Sequence, residues 1–175
     1  MRAVLSALAL WLAAACAPLE PRLTHPADFD LSARLAARYG NEAFSANLVW
    51  RHGPRFDEML LTTALGAGVA RIVRDGDEVV LTTAEPREYR AADAESLTEE
   101  VLGFRVPLAG LADWVRARPA PDAPARTHYG EDGRLRLVEQ LGWRVEYLDY
   151  DGPRPSRLRL AYPGIELRLA ISQWK

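Results

Sequence analysis

Arg157-Leu158-Arg159-Leu160-Ala161-Tyr162-Pro163-Gly164-Ile165-Glu166-Leu167-Arg168-Leu169-Ala170-Ile171-Ser172 is the stretch whose pattern decides the fold class. Leu158, Leu160 and Tyr162 alternate with Arg157, Arg159 and Ala161. Pro163-Gly164 then turns the chain, and Ile165, Leu167, Leu169 and Ile171 alternate with Glu166, Arg168, Ala170 and Ser172. Successive strand side chains point to opposite faces, so each half buries one face and wets the other. Two such runs joined by a short Pro-Gly connection read as an antiparallel hairpin.

The same period extends outward. Gly142 to Tyr150 carries Trp143, Val145 and Tyr147 on one face, Arg134 to Gln140 precedes it, and Asp151-Gly152-Pro153 and Gly130-Glu131-Asp132-Gly133 are turns. In the first half, Phe29, Leu31, Ala33, Leu35 and Ala37 alternate with polar or small residues, and Tyr39 to Glu42 turns. Phe44 to Arg51 places Leu48 and Trp50 on one face, Glu58 to Thr63 is a third strand, and Leu65 to Gly68 interrupts before Val69 to Arg74. Asp75-Gly76 is a hairpin signal leading to Glu78 to Thr83. The period changes only in the middle. Asp93 is a candidate N-cap for a helix carrying Leu97 and Val101 and ended by Gly103. Pro107 opens a second helix, with Leu108, Leu111, Ala112 and Val115 at helical spacing and Trp114 beside them; Pro119 to Pro124 is a loop. The expected class is therefore mainly β: one strongly curved antiparallel sheet, with two short amphipathic helices burying their apolar stripes on its concave face.

A chain of 175 residues, half of them apolar, favours one domain with a sizeable core. A net charge of −2 carries no basic excess of the kind a nucleic-acid binder shows. Residues 1–15 differ from the rest. Arg2 is followed by an apolar run from Ala3 to Ala14, broken by Ser6 and too short to span a bilayer. A charged start, a short apolar core and a small-residue end make a secretory signal. Leu12-Ala13-Ala14-Ala15-Cys16 closes it, and this segment resembles a bacterial lipobox, which implies cleavage before Cys16 and acylation of its sulfur. The alternative is a plain signal cut near Ala15. Residues 16–27, with Pro18, Pro21 and Pro26, read as a tether to a domain over 28–175. Two or three acyl chains at Cys16 would anchor the chain firmly, where one gives only marginal binding.

Candidate functional residues are apolar. Leu65, beside Gly66-Ala67-Gly68, is hard to bury in a core. Either the loop tip meets lipid or a partner, or it folds back onto the sheet edge. Trp50, Leu61, Leu81, Tyr89, Trp114, Trp143 and Tyr147 could line an apolar cavity or simply fill a core. Enzyme signatures are missing: there is no Gly-x-Ser-x-Gly elbow, and His25, His52 and His128, scattered without metal-ligand spacing, read as surface residues. No cofactor is expected. Arg34, Arg136, Arg157, Arg159 and Arg168 read as solvated strand faces.

Several fragments, in order, resemble the LolB family. They are Leu60-Leu61-Thr62-Thr63-Ala64-Leu65-Gly66, Tyr89-Arg90-Ala91-Ala92-Asp93-Ala94-Glu95, Leu102-Gly103-Phe104-Arg105-Val106-Pro107-Leu108 with Leu111-Ala112-Asp113-Trp114, Gln140-Leu141-Gly142-Trp143, and the closing Trp174. The resemblance implies an incomplete β-barrel with a helical lid over an apolar cavity, in an outer-membrane receptor that takes lipoproteins from the periplasmic carrier LolA and inserts them into the outer membrane. It also implies that Leu65 and Gly66 belong to a membrane-insertion loop, with Ala64 standing where the family often has Pro. Ala17 after Cys16 fits outer-membrane sorting. The implied partners are LolA, lipoprotein cargo and outer-membrane lipid, for a monomer. A lipidated module carrying free lipid and a structural envelope lipoprotein with a solid core are the alternatives.

Overall fold

The computed structural model describes residues 27–85, 87–102 and 106–175, without the side chains of residues 101, 102 and 109. The signal, Cys16, the tether up to residue 26, His25 and Gly103 lie outside the described residues. Among the described residues, eleven strands form one antiparallel sheet: β1 (Phe29–Tyr39), β2 (Glu42–Gly53), β3 (Phe56–Thr62), β4 (Gly68–Asp75), β5 (Glu78–Thr83), β6 (Glu88–Ala91), β7 (Ala125–Tyr129), β8 (Leu135–Gln140), β9 (Trp143–Asp151), β10 (Arg154–Tyr162) and β11 (Ile165–Trp174). Helices α1 (Ala94–Leu102) and α2 (Leu108–Trp114) fall between β6 and β7.

The strand order is β6-β5-β4-β3-β2-β1-β11-β10-β9-β8-β7. The first six strands and the last five are thus two meanders, zipped together by β1 and β11. The sheet does not close, because β6 and β7 are its two free edges. The chain passes from one edge to the other through α1 and α2, so the helices occupy the seam of an incomplete barrel.

The alternation read from sequence sets the inner face. Across β1 to β6 one inward row is Leu31, Trp50, Met59, Ile72, Leu81 and Tyr89, each paired to the next. On the other wing a row runs Ala37, Leu167, Leu160, Val145 and Val138. Both rows join one core cluster, Ile72 and Tyr89 packing partly buried against it, that also contains Leu97 from α1 and Leu108, Leu111, Ala112 and Trp114 from α2. Asp93 caps α1 as expected: its carboxylate accepts from the Ser96 backbone N–H at 2.6 Å and from the Ser96 hydroxyl at 2.9 Å.

Two strands, β6 and β7, lie in stretches where the sequence pattern marked no element. β6 has only four residues, and β7 is exposed along its whole length, so neither shows the apolar alternation that marks a half-buried strand. Pairing with β5 and β8 fixes them. His52 corrects the reading of the histidines as surface residues. It is 7% exposed on the inward face of β2 and hydrogen-bonded to Asp57. His128 is exposed. Of the five arginines read as solvated, Arg34, Arg157 and Arg168 are exposed and Arg136 and Arg159 half-buried.

Candidate functional site

Leu65 occupies the β3–β4 loop, and it does not fold back. The residue is 97% exposed, more than any other large apolar side chain described. The loop is built to hold it there. Thr63 N–H donates to the Ala67 carbonyl at 2.8 Å, and Gly66 N–H donates to the Thr63 carbonyl at 3.0 Å. Ala67 N–H reaches the Thr63 hydroxyl at 3.2 Å, and Asn47 Nδ2 reaches the Thr63 carbonyl at 3.1 Å. Gly66 has φ +85°, a left-handed conformation that costs glycine little. A leucine kept in water forgoes about 1.5–3 kcal/mol of burial, and the loop's own hydrogen bonds hold Leu65 in that position.

All seven candidate cavity residues face the concave side. Trp50, Leu61, Leu81 and Tyr89 lie on one wing, Trp143 and Tyr147 on the other, and Trp114 of α2 packs against the second wing. Trp50, Leu81, Trp114, Trp143 and Tyr147 are buried, and Leu61 and Tyr89 pack partly buried against them. The interior between the wings is filled by these side chains and by α2. Surface hollows among the described residues include two at the margins of the concave face. One of about 490 Å³ lies between the start of β7 and the β8–β9 turn, and one of about 340 Å³ lies between the α1 start, α2 and His52, Arg74 and Val79.

Gln140 fastens the helical segment to the sheet. Its Oε1 accepts from Trp114 Nε1 and from Ala120 N–H, both at 2.8 Å. Its Nε2 donates to the Ala120 carbonyl at 2.8 Å and to the Ala123 carbonyl at 2.7 Å. Tyr147 adds a hydrogen bond from its hydroxyl to the Trp114 carbonyl at 2.8 Å, and the Trp114 and Trp143 rings stand 6.2 Å apart. Burial pushes the Tyr147 phenol pKa well above the ordinary tyrosine value. Gln140 was missed as a functional candidate. The available signal was a polar residue on the parity of Val138, at an inward position of an alternating strand.

A polar cluster closes the concave face near the opposite strand ends. Asp57, 1% exposed, accepts from Trp50 Nε1 at 2.8 Å, pairs with His52 Nδ1 at 2.7 Å and receives Arg74 at 2.6 Å. A buried carboxylate is tolerable only when paired and hydrogen-bonded in this way. Among the described residues, no group of three or more His, Cys, Asp or Glu side chains could hold a metal ion.

The chain that folds this way matches a known protein family along nearly all of the described residues. The family model for the outer membrane lipoprotein LolB matches residues 27–174. The chain belongs to the LolB family. The outer-membrane lipoprotein LolB of Thiobacillus denitrificans is 39% identical over 180 residues, covering 99% of this chain and 96% of the relative. That of Azoarcus is 36% identical, covering 99% and 94%. Among solved structures, a LolA superfamily protein from Nitrosomonas europaea matches with TM-score 0.51 at 12% identity, covering 86% of this chain and 87% of that one. A DUF1329 family protein from Desulfovibrio piger matches with TM-score 0.54 at 7% identity, covering 84% of each. At such identities these two show the fold alone. Membership in LolB makes this an outer-membrane lipoprotein with a role in lipoprotein localisation. No helix among the described residues is long and apolar enough to cross a membrane.

Proposed function

We propose that this LolB-family chain receives lipoproteins from a LolA-type periplasmic carrier and inserts them into the outer membrane. The reading includes removal of residues 1–15, acylation of Cys16 and residues 16–27 as the tether. It takes the concave face beneath α1 and α2 as the place where cargo acyl chains are held, with α2 as the lid. The observation that supports it most is Leu65, held 97% exposed by a hydrogen-bonded loop.

The test is Leu65→Glu. A charge resists entry into hydrocarbon, while folding should change by less than about 0.5 kcal/mol, as for surface substitutions generally. In a two-step assay with loaded carrier followed by outer-membrane vesicles, the variant should accept cargo and fail to insert it. Normal insertion would refute the role of this side chain. The filled interior favours a second reading, a structural envelope lipoprotein with a solid core. An apolar dye displaced by fatty acid separates the two, because a solid core binds neither.

A further inference from the structure

We infer that the whole strand end carrying Leu65 is a bilayer-contacting rim, with Leu141 as a second apolar tip. This rests on the membrane role proposed for Leu65. The antiparallel register brings five turns to that end: residues 40–41, 63–67, 84–87, 141–142 and 163–164. Ten large apolar residues are exposed among those described. Six of them, Tyr39, Phe44, Leu65, Val69, Leu141 and Tyr162, sit in or beside these turns. Charge at the described tips is confined to Glu85 and Arg87, which pair with each other at 4.0 Å, while Arg38, Glu42, Glu88 and Arg144 stand on the strands just behind the tips. The opposite turns carry Arg55, Asp77, Glu131 and Asp132 at their tips, flanked by Asp75, Glu78, Asp151 and Arg154. Charges resist leaving water and tyrosines favour the bilayer interface, so the two ends are matched to different media.

Leu141 supplies the sharpest evidence. It is 51% exposed and sits at φ +52°, a left-handed conformation that bulky side chains avoid and that Asn or Gly would occupy readily. Gly142 follows at φ +78°, and a Cβ there would stand 2.9 Å from Tyr162 Cε2. The turn is therefore tightly seated on the Tyr162 ring, yet it spends its one tip side chain on an outward leucine. Leu65 and Leu141 lie on opposite wings of the sheet, so two tips fix an orientation that one cannot.

The anchor allows this orientation. β1 begins at the charged end and runs 11 residues to the apolar one, roughly 36 Å at ~3.3 Å per residue. About 13 residues separate Cys16 from Phe29 and can span at most roughly 45 Å. Cys16 and the apolar rim can therefore sit in one membrane.

The test uses the full acylated protein in vesicles of phosphatidylethanolamine and phosphatidylglycerol. Leu65→Cys, Leu141→Cys and Asp77→Cys each carry one nitroxide, with the wild-type chain as a check that Cys16 is blocked. Labels at 65 and 141 should be accessible to oxygen and shielded from aqueous nickel chelate, and the label at 77 should show the reverse. An aqueous 141 with 65 in lipid overturns the rim and leaves the Leu65 reading intact. Both positions aqueous overturns both. Shielding of 141 only after loaded carrier is added assigns the rim to the carrier and overturns the proposal. Leu141→Asn, which suits the left-handed turn, should keep or raise Tm and slow insertion roughly fivefold, the loss expected when about half a leucine's apolar surface no longer enters lipid. An unchanged insertion rate would refute it.

Discussion

Gln140→Leu isolates the fastening of α2. The substitution keeps an inward side chain of similar bulk and removes four hydrogen bonds of 2.7–2.8 Å, to Trp114, Ala120 twice and Ala123. At about 1 kcal/mol net each, they contribute roughly 4 kcal/mol. The Trp114 N–H, on a residue with no exposure, would lose its partner and add about 1–3 kcal/mol while the lid stays shut. The leucine recovers roughly 1.5–3 kcal/mol of apolar burial. The balance, about 3 kcal/mol, falls on α2 and residues 115–124 rather than on the β1–β11 zipper. Since 1.4 kcal/mol is a factor of ten, the lid-open population should rise on the order of 100-fold. Native-state hydrogen exchange reads this directly. The amides of Leu111 and Val115, bonded to the Pro107 and Leu111 carbonyls, should lose about two decades of protection, while Leu35 and Leu169 in the zipper hold theirs. An apolar dye should bind more tightly to the same variant. Unchanged α2 protection, or an equal loss throughout the sheet, would refute the latch.

Asp57→Ala strands Arg74, His52 and the Trp50 indole together, so denaturant unfolding should show a loss of roughly 3–5 kcal/mol; a loss below about 1 kcal/mol would contradict the cluster's structural role. The raised pKa of Tyr147 means that its contribution to stability is complete below the ordinary tyrosine value of about 10 and is lost as pH climbs above it, because the unfolded chain then releases a proton the folded chain retains. Alkaline unfolding curves should be flatter for Tyr147→Phe, and identical slopes above pH 10 would show that another group is responsible. Cys16→Ser should leave the mature domain soluble in the periplasm, and a native mature mass without added acyl chains would refute anchoring at Cys16.

Strands whose two faces meet different media were legible in the sequence, because burial writes period two into residues such as Leu31, Trp50, Leu160 and Ile171. The edges were not. β7 buries nothing, so Ala125-Arg126-Thr127-His128-Tyr129 has no apolar face to display, and its conformation comes from the β8 backbone. Polar residues at inward positions were equally hard to place. Whether His52 or Gln140 is buried depends on a partner supplied from elsewhere: Asp57 from the next strand for one, Trp114 and the 120–123 segment for the other. Leu65 could be singled out from its glycine-rich setting, but its exposure required the Thr63–Ala67 hydrogen bonds. Leu141 carries no sequence signal of its own, since the strain at φ +52° is a property of the folded turn.

The filled interior is itself informative about how a carrier could let go. An acyl chain of about 14 methylenes has a gross transfer term of roughly 11 kcal/mol at ~0.8 kcal/mol each. On the proposed reading, admitting it beneath α2 displaces Leu108, Leu111, Ala112, Trp114 and Val115 from sites where all are buried. At ~1.5–3 kcal/mol for each larger side chain, that displacement costs on the order of 8–10 kcal/mol, besides the Gln140 bonds. The two terms nearly cancel, so the protein would hold cargo weakly although the concave face is apolar. A bilayer offers the chain the same transfer term with no lid to displace, and the emptied protein regains its own core as α2 closes. Release into lipid is then downhill without an external energy source, and its direction is set by which apolar phase the rim touches.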